Sequence, residues 1–554
     1  MSLHSTPPNP VPEETARVAR AAFPNGNTYM RMRDRFGALF SDDTFAALFP
    51  TRGQPAEAPA RLALVTIMQF AEGLSDCQAA MAVRARIDWK YALGLDLTDC
   101  GFDASVLCEF RARLLNGSAE QQLLDTLLTR FREAGLLKAR GKQRTDSTHV
   151  LGAIRALNRL ECVGEAMRYA LNRLAGIAPE WLREHSQRDW VDRYGPRLEE
   201  YRLPSGQEKR REVAETIGRD GWDLLTAAFD SATPIEVRTA PAADILRQMW
   251  IQNYVWQDDQ LRWRTNEEVP PAVRFISSPY DAEARYSQKR TTQWIGYKVH
   301  VTETCDEDSP HLITDVTTMP APRADGDALP PIQAALQAKD LLPGLQLADT
   351  GYVAADQMVL SQNTYGIELV GPPRADYHWQ AHAAQGFAAQ DFKVDWEARQ
   401  LTCPQGHLSN SWTPAQSRSG LPVIKVKFSS TDCRACPCRI NCTKSNVRQP
   451  RRTVTLPTQE RHAALQAARQ REGTKDFKDQ SAIRAGIEGT LSQGIRAFEL
   501  RRTRYWGLAK THLQHLATAA AMDLVRVSQW LAKVPLAKTR KSAFERLWGV
   551  PAPA

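Results

Sequence analysis

The hydrophobic period of this chain changes near residue 140, and that change limits its possible folds more than any other feature. From Pro59 to Leu115 the apolar residues recur at helical spacing. Leu62, Leu64, Val65, Met68 and Phe70 form one stripe that stops at Gly73. Ser75 and Gln78 then have the spacing of a capping box, which predicts a second helix from Ser75 to Arg86. After Gly101, Val106, Leu107, Phe110 and Leu114 share one face of a third. Beyond residue 140 the period becomes two. Gln143–Leu151 reads as a strand, Gly296–Thr304 alternates Tyr297, Val299 and Val301 with Lys298, His300 and Thr302, and His311–Thr318 alternates again. The charged turn Cys305–Ser309 makes the last two a hairpin. An amphipathic helix, Ala328–Lys339, and a short strand, Leu345–Ala348, follow.

Three strands, a crossover helix and a fourth strand are the order of an RNase H-like α/β core, in which the first and fourth strands are neighbours. At 554 residues the chain should hold roughly three units. The expected division is a disordered Pro-rich arm (1–26), a helical N-terminal DNA-recognition domain (27–140) and the first part of the core (141–380), with a polar helical insertion at about 156–260. A cysteine-rich insert (381–455), the C-terminal helices of the core (456–535) and a basic tail (536–554) follow. No apolar run approaches the ~18 residues of a membrane span. The first residues lack the basic-then-apolar layout of a signal peptide. A cytoplasmic location is expected, with ten cysteines reduced or metal-bound.

The net charge of +8 is unevenly spread. Residues 484–550 carry twelve Lys/Arg against four Asp/Glu. Residues 433–452 carry Arg434, Arg439, Lys444, Arg448, Arg451 and Arg452 and no acid. Such clusters suit a phosphate backbone, where binding rests on counterion release, and equally suit a solvated basic face. Arg84, Arg86, Lys90, Arg111 and Arg113 lie on the early helices, which fit either a helix-turn-helix in a major groove or a plain bundle.

Asp is depleted in strands, so Asp146 within Arg144-Thr145-Asp146-Ser147-Thr148 calls for a reason beyond propensity. Asp349 ends the fourth strand, where it is either a turn residue or a ligand. Two-metal phosphodiester chemistry needs a further carboxylate from a late helix. A helix over Ser481–Gln493 offers Glu488, stacked on Arg484 at i, i+4, and Glu499 is the alternative beyond Gly494. Cys403-x3-His407 precedes Cys433-x2-Cys436, Cys438 and Cys442. Two paired hooks on a β-rich segment suit a structural Zn²⁺. Cys403, Cys433, Cys436 and Cys442 are the preferred ligands and His407 the replacement, the other reading being reduced thiols in a basic loop.

The stretches GLSDCQAAMAVRARIDWKYALGL (73–95), RTDSTHV (144–150), RYSQKRTTQWIGYKVHVTETCD (285–306), LADTGY (347–352), CPQGH (403–407) and RAGIEGTLSQGIRAFELRRTRYWGLAKTHLQH (484–515) carry a resemblance. In this order they resemble the DDE transposases of bacterial insertion sequences, in the branch with an InsH-like helical N-terminal domain and a cysteine-bearing insert. The resemblance implies a catalytic triad of Asp146, Asp349 and Glu488 holding two Mg²⁺, strand cleavage at the transposon ends, and strand transfer into target DNA. It implies terminal inverted repeats and target DNA as partners and a homodimer in the synaptic complex. Arg484, Arg496, Arg501, Arg502, Arg504 and Lys510 are the expected DNA contacts. The chain departs from related sequences at Ser481 and Ile495, where they set a Tyr and a Lys. The alternative reading is a decayed or domesticated transposase that only binds DNA. A stand-alone RNase H-like nuclease is less consistent with the long N-terminal region.

Overall fold

A computed structural model of the chain describes residues 2–383, 385–445, 448–535 and 543–547. Most of the tail expected at 536–554 lies outside them. The architecture is mixed α/β with a helical N-terminal region. Its central sheet is built from β1 (Lys142–Leu151), β2 (Arg285–Lys289), β3 (Thr292–Thr304), β4 (Ile313–Pro320), β5 (Leu345–Ala348) and β6 (Glu368–Val370). Along the sheet the order is β2–β3–β1–β5–β6, and β4 pairs the same edge of β3 as β2 does, farther along the strand. The strands β1 and β3 run antiparallel with Asp146 opposite Val301. The fourth expected strand, β5, lies parallel to β1 with Thr145 opposite Ala348. The next residues, Asp146 and Asp349, therefore leave neighbouring strands at the same level.

The early helices follow their sequence signals. Helix α1 (Glu13–Ala22) comes first, and α2 (Pro59–Glu72) ends where Gly73 adopts a left-handed φ of 68°. The Ser75/Gln78 capping box opens the helix Asp76–Ala85. Two domain expectations need correction. Residues 1–26 are not a loose arm: Ala19 packs with Met30 and Tyr91, the Thr15 hydroxyl donates to the Leu95 carbonyl, and buried Ser2 bridges to Pro55. Nor do the N-terminal helices have a separate core. Leu62, Ile67, Met68, Leu107, Phe110 and Phe131 belong to the same apolar cluster as Val299, Val301 and Ile332 of the sheet layer. The join is the long helix α6 (Leu508–Leu531), with residues such as Leu513, Leu516, Ala520 and Leu524 buried on several sides. At roughly 1.5–3 kcal/mol per buried large apolar side chain, this shared interface is a principal term in stability.

The crossover helix α3 (Leu329–Ala338) covers one sheet face. Two further helices, α4 (Lys475–Ala485) and α5 (Ile487–Ala497), stand where one helix over Ser481–Gln493 was expected. The break falls at Gly486, where any Cβ would overlap the Arg144 guanidinium.

Two inserts have their own cores. The first, entered after β1 and left before β2, contains the helices Arg159–Ile177, Gln207–Ala228 and Pro241–Asn253 and a hairpin, Tyr254–Gln257 with Gln260–Trp263. It was expected to be polar, yet Trp190, Tyr194, Leu224, Met249, Trp250 and Tyr254 form a distinct apolar cluster. The second holds the three-stranded sheet Ser409–Gln416, Pro422–Phe428 and Thr453–Pro457 over a small core of Phe392, Leu401, Val426, Phe428, Val454 and Leu456.

Candidate active site

Asp146 is turned to the side of β1 on which α4 and α5 pack, with a side chain 14% exposed. Its Oδ1 accepts the Ser147 amide at 2.7 Å. Burial first, then the charge of Asp349, raises its pKa to about 6 against the opposing Ser147 bond and the Arg484 and Lys289 charges. Asp349 Oδ1 accepts the Gly351 amide at 2.8 Å, which fixes the turn after β5. Arg484 stands between the strands and the late helix, its Nη1 3.6 Å from Asp146 Oδ2 and its Nη2 3.8 Å from Glu488 Oε1. Glu488 is 71% exposed, in the first turn of α5. The structure thus brings Asp146, Asp349, Arg484 and Glu488 together. Glu499, the alternative carboxylate, lies past the end of α5 with φ 53° and faces Arg504 at 3.5 Å.

Beneath this group a buried ionic network fastens α5 to the sheet. Glu303 of β3, fully buried, accepts Arg144 Nε at 2.7 Å and Arg526 Nη1 at 2.8 Å. The Thr490 hydroxyl donates at 2.6 Å to Oε2, the oxygen that also accepts Arg526, while Arg144 holds Oε1, and Arg526 Nη2 donates to Thr490. Arg144 also reaches the Ile483 carbonyl at 2.5 Å, beneath the α4–α5 break. Two guanidinium groups keep the Glu303 carboxyl below its ordinary range although burial alone would raise it. A buried carboxylate left unpaired costs several kcal/mol, so the pairing is a condition of this packing.

On the opposite face of β1, Ser147, Lys298 and His300 gather around Asp325 and Tyr352. Asp325 Oδ1 accepts Lys298 Nζ at 2.8 Å and the Ser147 hydroxyl at 3.2 Å. His300 Nδ1 lies 2.6 Å from the Tyr352 hydroxyl. Neither Asp325 nor these partners was singled out from the sequence. Asp325 stands in a turn between strand and helix, where acids are ordinary, and only the fold brings it to Asp349.

The cysteine insert collects its thiols. Cys403, Cys433, Cys436, Cys442 and His407 all line one cavity with Phe387, Phe392 and Phe428, and Cys438 is not among the lining residues. Burial and the nearness of Cys436, Cys403 and Cys433 push the Cys442 thiol up to about 11, against the field of Arg452. Among the described residues, no group of three or more His, Cys, Asp or Glu side chains is already drawn together around a metal position, at either site.

Two family models match the sequence. One is described as a Transposase DDE domain and covers residues 402–528, and the other as a Transposase domain (DUF772) and covers 17–113. These matches indicate a DDE-type insertion-sequence transposase. The first spans the cysteines, Arg484 and Glu488 but leaves Asp146 and Asp349 outside. No curated protein and no solved structure matches the chain.

The basic residues of the chain divide by exposure. Arg496, Arg502 and Lys510 are exposed. Arg501 instead donates to the Thr148 hydroxyl at 2.9 Å, while Arg504 donates to the Leu74 carbonyl at 2.7 Å and lies over Phe70. These two are half-buried and make contacts within the protein. The early helices show the same pattern. Lys90 is buried against the carbonyls of Asp96 and Asp99, Arg111 pairs Asp76 at 2.5 Å, and Arg86 pairs Asp88 at 2.6 Å. Lys289, exposed and within electrostatic reach of Asp146, was not expected. Its sequence signal was the basic strand Arg285–Arg290. No described helix is long and apolar enough to cross a membrane.

Proposed function

We propose that this transposase cleaves the ends of its insertion sequence and joins them to target DNA in a Mg²⁺-dependent reaction on an RNase H-like core, through Asp146, Asp349 and Glu488. The observation that carries this reading is the parallel pairing of β1 with β5, which sets Asp146 beside Asp349, with Arg484 reaching from Asp146 to Glu488. The residues suit a hard divalent cation by their chemistry. Their donors are carboxylate oxygens, and the buried Asp146 sits beside a second carboxylate with too little positive charge nearby to lower its pKa to the ordinary range. Bound there, two Mg²⁺ would supply charge neutralisation and activation of the attacking and leaving oxygens for in-line displacement at phosphorus.

The chain's own groups do the rest. The Glu303 network holds α5 against β3, and Arg144 holds the break between α4 and α5, so Glu488 approaches from a fixed helix end. Arg484 carries donors toward the space between the carboxylates, where a phosphate oxygen would be steadied. Arg496, Arg502 and Lys510 would contact phosphates farther along the strand. The N-terminal helices would recognise the terminal repeats, with two copies of the chain joining two ends. For the cysteine insert, the shared cavity supports one Zn²⁺ on Cys403, Cys433, Cys436 and Cys442, with His407 the replacement; thiolates and imidazole suit that ion. The test is cleavage and strand transfer by purified protein on DNA from the element's own ends in Mg²⁺. Wild type should cut, and Asp146→Asn, Asp349→Asn and Glu488→Gln should bind the ends within a few-fold but not cut. A Glu488→Gln protein that still cuts would remove Glu488 from the triad.

A further inference from the structure

We propose that Lys289, at the tip of the β2–β3 hairpin, contacts the DNA phosphate that undergoes cleavage, a substrate-binding role separate from those of the carboxylates and Arg484. This rests on the cleavage reading above. The hairpin runs past the end of β1. Leu151, the last residue of β1, lies opposite Gly296, while β2 and β3 continue to the pair Lys289–Thr292. At about 3.3 Å per residue, a straight β3 would carry this tip far from Asp146, which lies opposite Val301. The hairpin instead leans back over β1. Trp294 comes four residues before Lys298, the partner of His149, yet its ring centroid is 5.3 Å from that of His149. Its Nε1 donates to the Tyr297 carbonyl at 3.0 Å, which holds the indole against its own strand. Between these two residues stands Gly296, with φ 153°. A Cβ there would lie 2.2 Å from the Val150 carbonyl oxygen and 2.5 Å from the Gly152 nitrogen, so only glycine permits this approach of the strands.

The lean brings an uncommitted cation to the carboxylates. The Lys289 ammonium acts on Asp146 on one face of β1 and on His149 and Asp325 on the other. It therefore stands where both faces can be reached. The parallel ladder between β1 and β5 stops at Thr145 opposite Ala348, and from Asp146 to Val150 that edge of β1 has no ladder partner among the described residues. The neighbouring cations are already engaged. Lys298 holds Asp325 and the Arg323 carbonyl, Arg501 holds Thr148, and Arg484 lies between Asp146 and Glu488. Lys289 is exposed and makes no side-chain hydrogen bond or ion pair with the described residues. It is near enough for its charge to act on Asp146 and too far to pair with it. A phosphate held at the carboxylates would fill that interval and give the ammonium its partner. Displacement at phosphorus builds negative charge on the phosphate oxygens, and a cation waiting there acts most strongly in the transition state.

The test is a double-substitution cycle on the full chain, with thermal unfolding as the folding control. Wild type and Lys289→Met are titrated in Ca²⁺ with end DNA carrying either an ordinary phosphate or a neutral methylphosphonate where the element joins flanking DNA. Neutralising that phosphate should cost Lys289→Met about tenfold less affinity than it costs wild type, because the charged partner is already gone. Methylphosphonates two or more positions away should cost both proteins the same. In Mg²⁺, Lys289→Met should cut about 10²-fold more slowly at saturating protein, and Lys289→Arg should recover part of the rate. Equal penalties at the junction phosphate in the two proteins overturn the contact, even where Lys289→Met cuts slowly, and so does a difference confined to another phosphate. Cleavage by wild type with equal penalties overturns the contact and leaves the reaction standing. Unequal penalties in a wild-type chain that never cuts in Mg²⁺ support the contact and overturn the cleavage reading.

Discussion

The two places where we propose that this chain holds metal ions are built in opposite ways. Asp146 and Asp349 sit on neighbouring strands of a sheet whose apolar cluster extends through α6 into the N-terminal helices, and a buried carboxylate with two arginines clamps the third helix end. The cysteines sit in a turn and short helices beside a small sheet with a core of six buried side chains. In the first region the fold holds the ligands. In the second, the ligands would hold the fold.

The largest expected effect follows from the first half of that contrast. Asp146→Asn and Asp349→Asn should reduce cleavage by about 10³-fold or more, since each deletes a charged ligand from a two-metal site. Their thermal stability in metal-free buffer should equal or exceed that of wild type, because a buried charge is removed and no packing is lost. A large drop in Tm would mean that the carboxylates support the sheet, and the contrast would fail.

The second half predicts the reverse. Cys433→Ser, or chelation of freshly reduced protein, should expose the segment around 393–457 to proteolysis while the central sheet keeps its unfolding transition. Elemental analysis of wild type should give about one zinc per chain. An insert that stays resistant after metal removal would leave only reduced thiols.

A smaller effect sharpens how the fold holds its ligands. Glu303→Gln should cost about 3–5 kcal/mol, the range for breaking a buried ion pair and leaving one partner charged. The sign with pH is set by the lowered pKa of Glu303. Its contribution is present above the ordinary glutamate range and is lost as pH falls through the lower folded-state value. The Tm deficit of the variant should therefore be largest near neutrality and shrink in acid, as urea or thermal melts at several pH values would reveal. A deficit that grows in acid would contradict the assigned network.

The smallest effect concerns the exposed cations. Replacing Arg496, Arg502 and Lys510 with Ala should flatten the slope of log K against log salt by about 0.9 for each duplex phosphate that is no longer neutralised. Arg501→Ala should leave that slope alone and lower stability modestly, since its partner is Thr148. A changed slope for Arg501→Ala would return it to the DNA surface.

The legibility of the site in the sequence followed the range of the interactions. Periodicity is local, so the strands around Asp146 and Asp349 and the capping box at Ser75 could be read from neighbours a few residues apart. The crossover that sets β5 parallel to β1 followed from element order. What could not be read depends on pairs far apart in sequence. At the break in the late helix, only a glycine at 486 leaves room for Arg144, more than 300 residues earlier. The internal partners of Arg504 and Arg111, Leu74 and Asp76, are equally remote from any local pattern. Asp325 carried no spacing signal, because Ser147 and Lys298, which it meets, lie far from it in sequence. The docked N-terminal residues were misjudged because proline content reads as disorder even where a short helix finds a partner surface.

The first insert leaves the sheet after Leu151 and returns at Arg285, and Leu151 pairs with Gly296 across the β1–β3 ladder. The whole helical body thus occupies the connection between β1 and β2, whose ends Leu151 and Arg285 pair with Gly296 from opposite edges of β3. With its own apolar cluster, it is a cassette entered and left at one end of the parent sheet. Lineages could lose, exchange or elaborate such a cassette without disturbing strand pairing. The same geometry offers engineers a site for grafting: a short link crossing the end of β3 from Leu151 to Arg285 would give a minimal scaffold, and a foreign domain with nearby termini could be carried there.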